Sequence, residues 1–394
     1  MKIGLFTDTY FPQISGVAVS IRTLKAELEK LGHTVYVFTP AQQFPKQREA
    51  DTEKNIVRLR SIPSGIVAER RLALQSGLAT ATKIAVKYNL DLVHTQTEFG
   101  VGLLGKQVAN MLRVPHIHTL HTKYEDYLHF IPGGSRVPKD TIKYLVRAYL
   151  MGAEGLIVPS VVTEEAAIRY GVKCPIRVIP TGIDVAKFFV TENTAAVSQT
   201  LRTALGIGPE EKMLLSVSRL SEEKNIGAVL RAVSQLPGDA GVKLVIVGDG
   251  PGRKDLEKVV RKLGIANKVT FTGMVSNDEV KKYFQAADCF ISASRSETQG
   301  LTFLESLAAR TPVIAADNPI MRPIINAPEY GRLFTHDDGI AAAIIGVLTT
   351  NQKMTDSQYL TKLMEISSDS FGKRVFEFYL YILKEIAQSG RFLP

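Results

Sequence analysis

Short β-branched and aliphatic runs alternate with helical segments along almost the whole chain, and no other feature constrains the fold as much. Strand candidates fall at 2–8, 34–40, 55–60, 90–97, 114–121, 155–160 and 176–182, and again at 212–217, 242–247, 268–273, 289–293, 312–316 and 331–335. Several are apolar at nearly every position, as in Leu156-Ile157-Val158, which suits strands covered on both faces. Between them, residues 19–31 carry Ile21, Leu24, Leu28 and Leu31 on one helical stripe, closed by Gly32. This βαβ rhythm predicts a parallel, doubly wound α/β fold. It breaks over the polar, Thr/Ala/Ser-rich stretch 185–211 and restarts at Lys212. With 394 residues, the chain exceeds what one core can organise. Two domains are expected, 1–190 and 191–370, with an aromatic-rich C-terminal helix in 371–394 crossing back to the first.

Composition narrows the class. A 45% hydrophobic and 22% charged chain reads as soluble and globular, and no run reaches the ~18 apolar residues of a spanning helix. Met1-Lys2 leads straight into a strand, without a secretion signal, so a cytoplasmic location is expected. Cys174 and Cys289 have no ligand or disulfide spacing. The net charge of +9 is lopsided: 23 Lys and Arg face 15 Asp and Glu in residues 1–180, against 25 and 24 in the rest. A basic first half suits either an anionic surface or a solvated basic face.

Chemistry concentrates in the second half. Arg219 and Lys224 share a loop between a strand and a helix, where two cations beside a helix start suit a diphosphate, though an exposed charged loop would look the same. Gly248-Asp249-Gly250-Pro251-Gly252 follows a strand, but position 253 is Arg, so the dinucleotide G-x-G-x-x-G spacing fails. A strand ends at Gly273. In Ser296-Glu297-Thr298-Gln299-Gly300-Leu301-Thr302-Phe303-Leu304-Glu305, one carboxylate lies on a loop and one on the helix after it. First-turn amides of Gly300, Leu301 and Thr302 are then available to a phosphate. His116, His118 and His121 invite a metal reading, but no acidic or cysteine partner stands at ligand spacing.

In order and spacing, Arg-x4-Lys, Gly-Asp-Gly-Pro, strand-Gly, Glu-x7-Glu and Arg310-Thr311-Pro312-Val313-Ile314 resemble the retaining glycosyltransferases of family 4. The resemblance implies the GT-B fold, two Rossmann-like domains facing across a cleft. It implies that Arg219 and Lys224 neutralise the donor diphosphate, that Glu297 lies at the transferred sugar and that Glu305 holds the ribose. Gly16 and Val17, in the loop after the first strand, would approach the donor, and His121 would sit over its sugar. Ser306 replaces the family's usual alanine.

His121-Thr122-Lys123-Tyr124-Glu125-Asp126-Tyr127 is similar, more narrowly, to the bacterial diacylglycerol 3-glucosyltransferases. That likeness implies a UDP-sugar donor, UDP-glucose above all, and a diacylglycerol acceptor near Tyr124 and Tyr127. No cofactor, essential divalent metal or nucleic acid is expected. It also implies peripheral attachment to the inner face of an anionic membrane, for which Arg70, Arg71, Lys139 and Lys143 are candidate contacts. Interfacial helices are read at 64–87 and from Lys139, where cations interleave with apolar residues, against the alternative that both helices bury their apolar stripes. A family 4 enzyme with a soluble acceptor and a Rossmann oxidoreductase are the competing functions.

Overall fold

Two parallel sheets, each wrapped by helices, carry the chain. The computed structural model describes residues 1–13, 15–41, 53–63, 71–73, 77–121, 139–189, 193–297, 299–350 and 354–390. They divide into two units, Met1–Gly182 with Ser368–Pro394, and Ile183–Ser367.

In the first unit the strands are β1 (Lys2–Phe6), β2 (Thr34–Pro40), β3 (Ile56–Leu59), β4 (Ser61–Pro63), β5 (Arg71–Ala73), β6 (Leu92–Thr95), β7 (His116–Thr119), β8 (Gly155–Val158) and β9 (Ile176–Val178). Seven form a parallel sheet in the order β3-β2-β1-β6-β7-β8-β9, and β4 pairs with β5 antiparallel. Helices α1 (Gly16–Lys30), α2 (Gly77–Tyr88), α3 (Gly100–Leu112), α4 (Lys139–Leu150) and α5 (Val161–Arg169) surround it. β6, β7 and β8 are buried at every residue, the outcome of covering both faces. In α1, Ile21, Leu24 and Leu28 enter the core as predicted, whereas Leu31 caps the helix and is exposed.

The last helix, Ser368–Ser389, belongs to this unit. Phe371, Val375, Phe378, Tyr379, Ile382 and Ile386 fall on one stripe and join the core of β1, β2 and α1. At ~1.5–3 kcal/mol for each large apolar side chain fully buried, this stripe is a main source of the unit's stability.

The second unit has β10 (Lys212–Val217), β11 (Val242–Val247), β12 (Val269–Gly273), β13 (Cys289–Ser292), β14 (Val313–Ala316) and β15 (Gly331–Phe334), all parallel, in the order β12-β11-β10-β13-β14-β15. Its helices are α6 (Thr194–Ala204), α7 (Ile226–Ser234), α8 (Arg253–Lys262), α9 (Asn277–Ala286), α10 (Leu301–Ala308), α11 (Met321–Ile324), α12 (Ile340–Thr349) and α13 (Asp356–Ile366).

Two expectations are corrected. The polar stretch 185–211 contains α6, which packs along α9 and is pinned by Arg202 to the Ala286 carbonyl and the Asp288 carboxylate, each at 2.9 Å. No single helix runs through 64–87, because Arg71–Ala73 is extended and paired to β4, and α2 starts only at Gly77. α2 then buries Ala81 and Ala85 in the core and leaves Lys83 and Lys87 exposed.

Candidate active site

A doubly wound sheet opens at its carboxyl edge where neighbouring strands lead off in opposite directions. In the first sheet this point lies between β1 and β6, and in the second between β10 and β13. The sequence candidates Gly16, Arg219, Lys224, Glu297 and Gly300 all lie on loops, or at helix starts, that follow three of these four strands, β1, β10 and β13.

In the second unit, the loop from Ser218 to Asn225 is braced by the glycine-rich turn after β11. Leu220 N donates to Asp249 O at 3.0 Å, and Gly252 N donates to Leu220 O at 2.8 Å. A Cβ on Gly248 would lie 2.0 Å from the Ser218 oxygen, and one on Gly250 would lie 2.5 Å from that of Leu220. The two glycines therefore let one backbone seat against another and hold the Arg219 loop in place. Gly273, at φ +78°, accepts from Gly248 N at 2.9 Å and closes the same corner.

Arg219 projects into solvent and makes no ion pair with any described residue. Lys224 Nζ lies 2.6 Å from Glu297 Oε1, and both side chains are largely buried. Asp337 ties their two loops together, accepting from Asn225 Nδ2 and from Arg295 Nη2, each at 3.1 Å. The Asn225 contact foremost holds the Asp337 carboxyl below its ordinary range. Between them sit buried Ser218, Ser294 and Ser296 hydroxyls and the Oε2 of Glu223, without partners among the described residues. Such atoms are costly in a finished core and are expected where a polar ligand completes the bonding.

Gly300 caps α10 at φ +74°, and any Cβ there would meet Phe303 at 2.6 Å. Leu301 and Thr302 follow as the first helical residues, whose amides have no intrahelical acceptor. Glu305 lies on that helix with no bonded partner for its carboxyl among the described residues. Burial pushes its pKa up to about 7. Ser306 donates to the Thr311 carbonyl at 2.8 Å, so the hydroxyl that departs from the family pattern ties down the end of α10.

In the first unit, Ser15 caps α1 by accepting from Ala18 N at 3.1 Å. Gly16 is exposed, its φ is not positive, and an added Cβ would meet nothing within 4 Å. Neither backbone angle nor packing demands glycine there, and the space beside it is open. Val17 is partly buried against the core. His121 follows β7, and its Nε2 donates to Gln96 Oε1 at 2.8 Å. Burial, then His118, pushes the ring pKa down to about 3, so the imidazole is neutral near pH 7.

His116 Nε2 and His118 Nδ1 both bond Thr95 Oγ1 at 2.8 Å, and His94 links Thr119 to Tyr379. These histidines are cross-strand ties. No three His, Cys, Asp or Glu side chains converge on a metal position among the described residues. Asp8 joins the loops after β1 and β6, accepting from Thr97 Oγ1 at 2.6 Å and Val101 N at 2.8 Å. Tyr124, Tyr127 and Arg70 lie outside the described residues, as do the side chains of Arg71 and Lys139. Lys143 is half-buried on α4, where Tyr149 and Leu150 enter the core but Tyr144 and Leu145 stay exposed. Gln96, Asp337 and Asp8 did not emerge as site residues from sequence. Their only signal is position just past a strand, which matters once strand order is known.

Residues 14–187 match the family described as Glycosyltransferase Family 4, and residues 197–361 match Glycosyl transferases group 1. The alpha-monoglucosyldiacylglycerol synthase of Streptococcus pneumoniae is 49% identical over 381 residues, covering 96% of this chain and 86% of that protein. Its namesake from Acholeplasma laidlawii is 32% identical over 385 residues, 95% of this chain and 94% of that one. The chain is a family 4 glycosyltransferase. Its fold is shared with solved structures of low identity. The Anabaena Alr3699/HepE complex with UDP-glucose superposes with TM-score 0.77 at 19% identity, over 97% of this glycosyltransferase and all of that chain. WaaG gives 0.65 at 16%, over 94% and 95%.

Proposed function

We propose that this glycosyltransferase moves glucose from UDP-glucose to the 3-hydroxyl of 1,2-diacylglycerol, with retention, at the cytoplasmic face of the membrane. The observation that carries the reading is the placement of Arg219, the Lys224–Glu297 pair and the Glu305 carboxyl, which has no partner among the described residues, on the loops and the following helix at one switch point. The full-length likeness to two monoglucosyldiacylglycerol synthases supports the lipid acceptor.

Arg219 and Lys224 face the bridging and terminal oxygens of the diphosphate and stabilise the charge that grows there as the glycosidic bond breaks. Lys224 exchanges its bond to Glu297 for one to the phosphate, which frees the Glu297 carboxylate for the sugar. Leu301 and Thr302 amides add donors at the helix start. With two cations so placed, a divalent metal is dispensable. Glu305 accepts from the ribose hydroxyls, bonds that favour its charged form. The acceptor hydroxyl attacks on the face the diphosphate leaves. His121 bonds a sugar hydroxyl as a neutral ring, and the open space beside Gly16 admits a ligand oxygen close to the start of α1.

No helix among the described residues is long and apolar enough to cross a membrane. Exposed Tyr144 and Leu145 beside the exposed Arg147 on α4 support attachment at the surface. Labelled nucleotide-sugars supplied with and without diacylglycerol in anionic micelles test the assignment. A lipid-soluble product from UDP-glucose is expected, and transfer only to water-soluble acceptors would overturn it.

A further inference from the structure

We infer that Gln96 is a positioning residue for His121, fixing the ring proton on Nε2 and leaving Nδ1 as a lone-pair acceptor for a substrate hydroxyl. The inference rests on the reading that His121 works at the sugar, and goes beyond it by stating which ring nitrogen acts and what selects it.

Gln96 is the first residue past β6, and its backbone N donates to Phe6 O at 2.8 Å, so the residue is anchored in the sheet edge. It is 2% exposed, and among the described residues its side chain has one bonded neighbour, the His121 ring at 2.8 Å. Oε1 of an amide only accepts, so the imidazole Nε2 must carry hydrogen. Nδ1 of the same neutral ring is then an acceptor, and it makes no hydrogen bond to a described residue. The amide Nε2 of Gln96 is buried without an acceptor among the described residues. Packing alone gives no reason to keep such a group, since leucine would fill the same volume without an orphaned donor. A residue retained to orient a neighbour does give one. Reversing the amide would set its NH₂ against the ring and drive the proton to Nδ1, so tautomer and amide orientation are one observable.

The ring's charge is set by few groups. His118, on the strand that precedes it, acts on the ring and is itself bonded to Glu98 at 3.2 Å. Among the described residues, His94, His116, Tyr149 and Asp8 are further titratable groups at this edge. Replacing Gln96 by glutamate would put a carboxylate directly on Nε2, keeping the tautomer while raising the ring's proton affinity.

Long-range ¹H–¹⁵N correlation on the full-length protein, histidine-labelled, with His121 assigned from His121→Gln, reads the tautomer without a turnover assay. The expected wild-type spectrum is the neutral Nε2–H form from about pH 5.5 to 8. In Gln96→Leu the ring shifts toward the Nδ1–H form or a mixture, and turnover falls ~10²-fold while the KM for UDP-glucose stays within about twofold. Gln96→Glu restores the tautomer, recovers rate above about pH 7 and adds an acid limb to the pH profile. An Nδ1–H wild-type ring, or Gln96→Leu with unaltered tautomer and rate, overturns the inference. Should Gln96→Leu fail to fold, the wild-type spectrum and Gln96→Glu still decide. Full activity in His121→Ala would instead remove the role at the sugar, which separates the two failures.

Discussion

The two switch points use opposite chemistry. In the second unit the working groups are ionic and partly solvent-facing: Arg219 unpaired, Lys224 on Glu297, Asp337 between two loops. In the first they are neutral and buried: threonines, Gln96 and histidines whose charging burial opposes, with Asp8 pushed toward its protonated form by burial as well. The same sheet topology thus presents one edge fit for a diphosphate and another fit for hydroxyls.

Removing a charge from the ionic edge should produce the largest loss. Lys224→Ala and Arg219→Ala are each expected to lower turnover ~10²–10³-fold, as for loss of one electrostatic stabiliser. Near-normal steady-state rates in both variants would erase the contrast between the edges. Glu297→Gln should act mainly on the rate at saturating donor.

The neutral edge is probed by His121→Ala, expected to cut transfer ~10²-fold, while chelators leave the wild-type rate intact. Activity lost on chelation and restored by zinc would make this edge a metal site.

Glu305 belongs to the ionic edge but is buried like the neutral one, and pH separates the two characters. Its native pKa is raised from 4.5 to about 7, so the folded state holds a proton that the unfolded chain releases. Stability therefore falls as pH rises from about 4.5 through 7, by up to about 3 kcal/mol, and is level above that. Denaturant titrations of Glu305→Gln should lack this slope. UDP affinity in wild type should climb over the same interval relative to the variant, because ribose bonds favour the ionised carboxyl. Parallel pH curves for the two proteins would contradict this.

The smallest effect per residue concerns the basic candidates of the first unit. Changing Arg70, Arg71, Lys139 and Lys143 to Ser should weaken binding to anionic liposomes by ~1 kcal/mol for each residue near the surface, and salt should do the same. Equal sedimentation with neutral and anionic liposomes would give the basic residues another purpose.

Much of this was legible in sequence because it is local. Each parallel strand fell within a stretch read as a strand candidate, several of them apolar at nearly every position, and Glu297 and Glu305 were marked by their place around a helix start. What stayed hidden depends on strand order. Nothing near Gln96 in sequence indicates that β7 lies beside β6 and brings His121 to it. Asp337 is one of two adjacent aspartates until β15 carries it past the ends of β10 and β13. The role of Gly248 and Gly250 was hidden because the backbone they accommodate lies some thirty residues earlier. α6 went unnamed because it lies in a polar stretch, with Leu201 only partly buried against the core and Arg202 reaching Asp288.

The helix Ser368–Ser389 completes the first unit's core, yet it is synthesised only after all of Ile183–Ser367. On the ribosome, the nucleotide-type fold of the second unit can close while the first is still lacking Phe371, Tyr379 and their neighbours. Units fold as they become complete, so the later-encoded one finishes first. His94 waits for the Tyr379 hydroxyl until then, and with it the β6–β7 edge that carries Gln96 and His121. A nascent chain thus holds a finished second unit before it holds a finished first one, and acquires both only when the helix Ser368–Ser389 has been made.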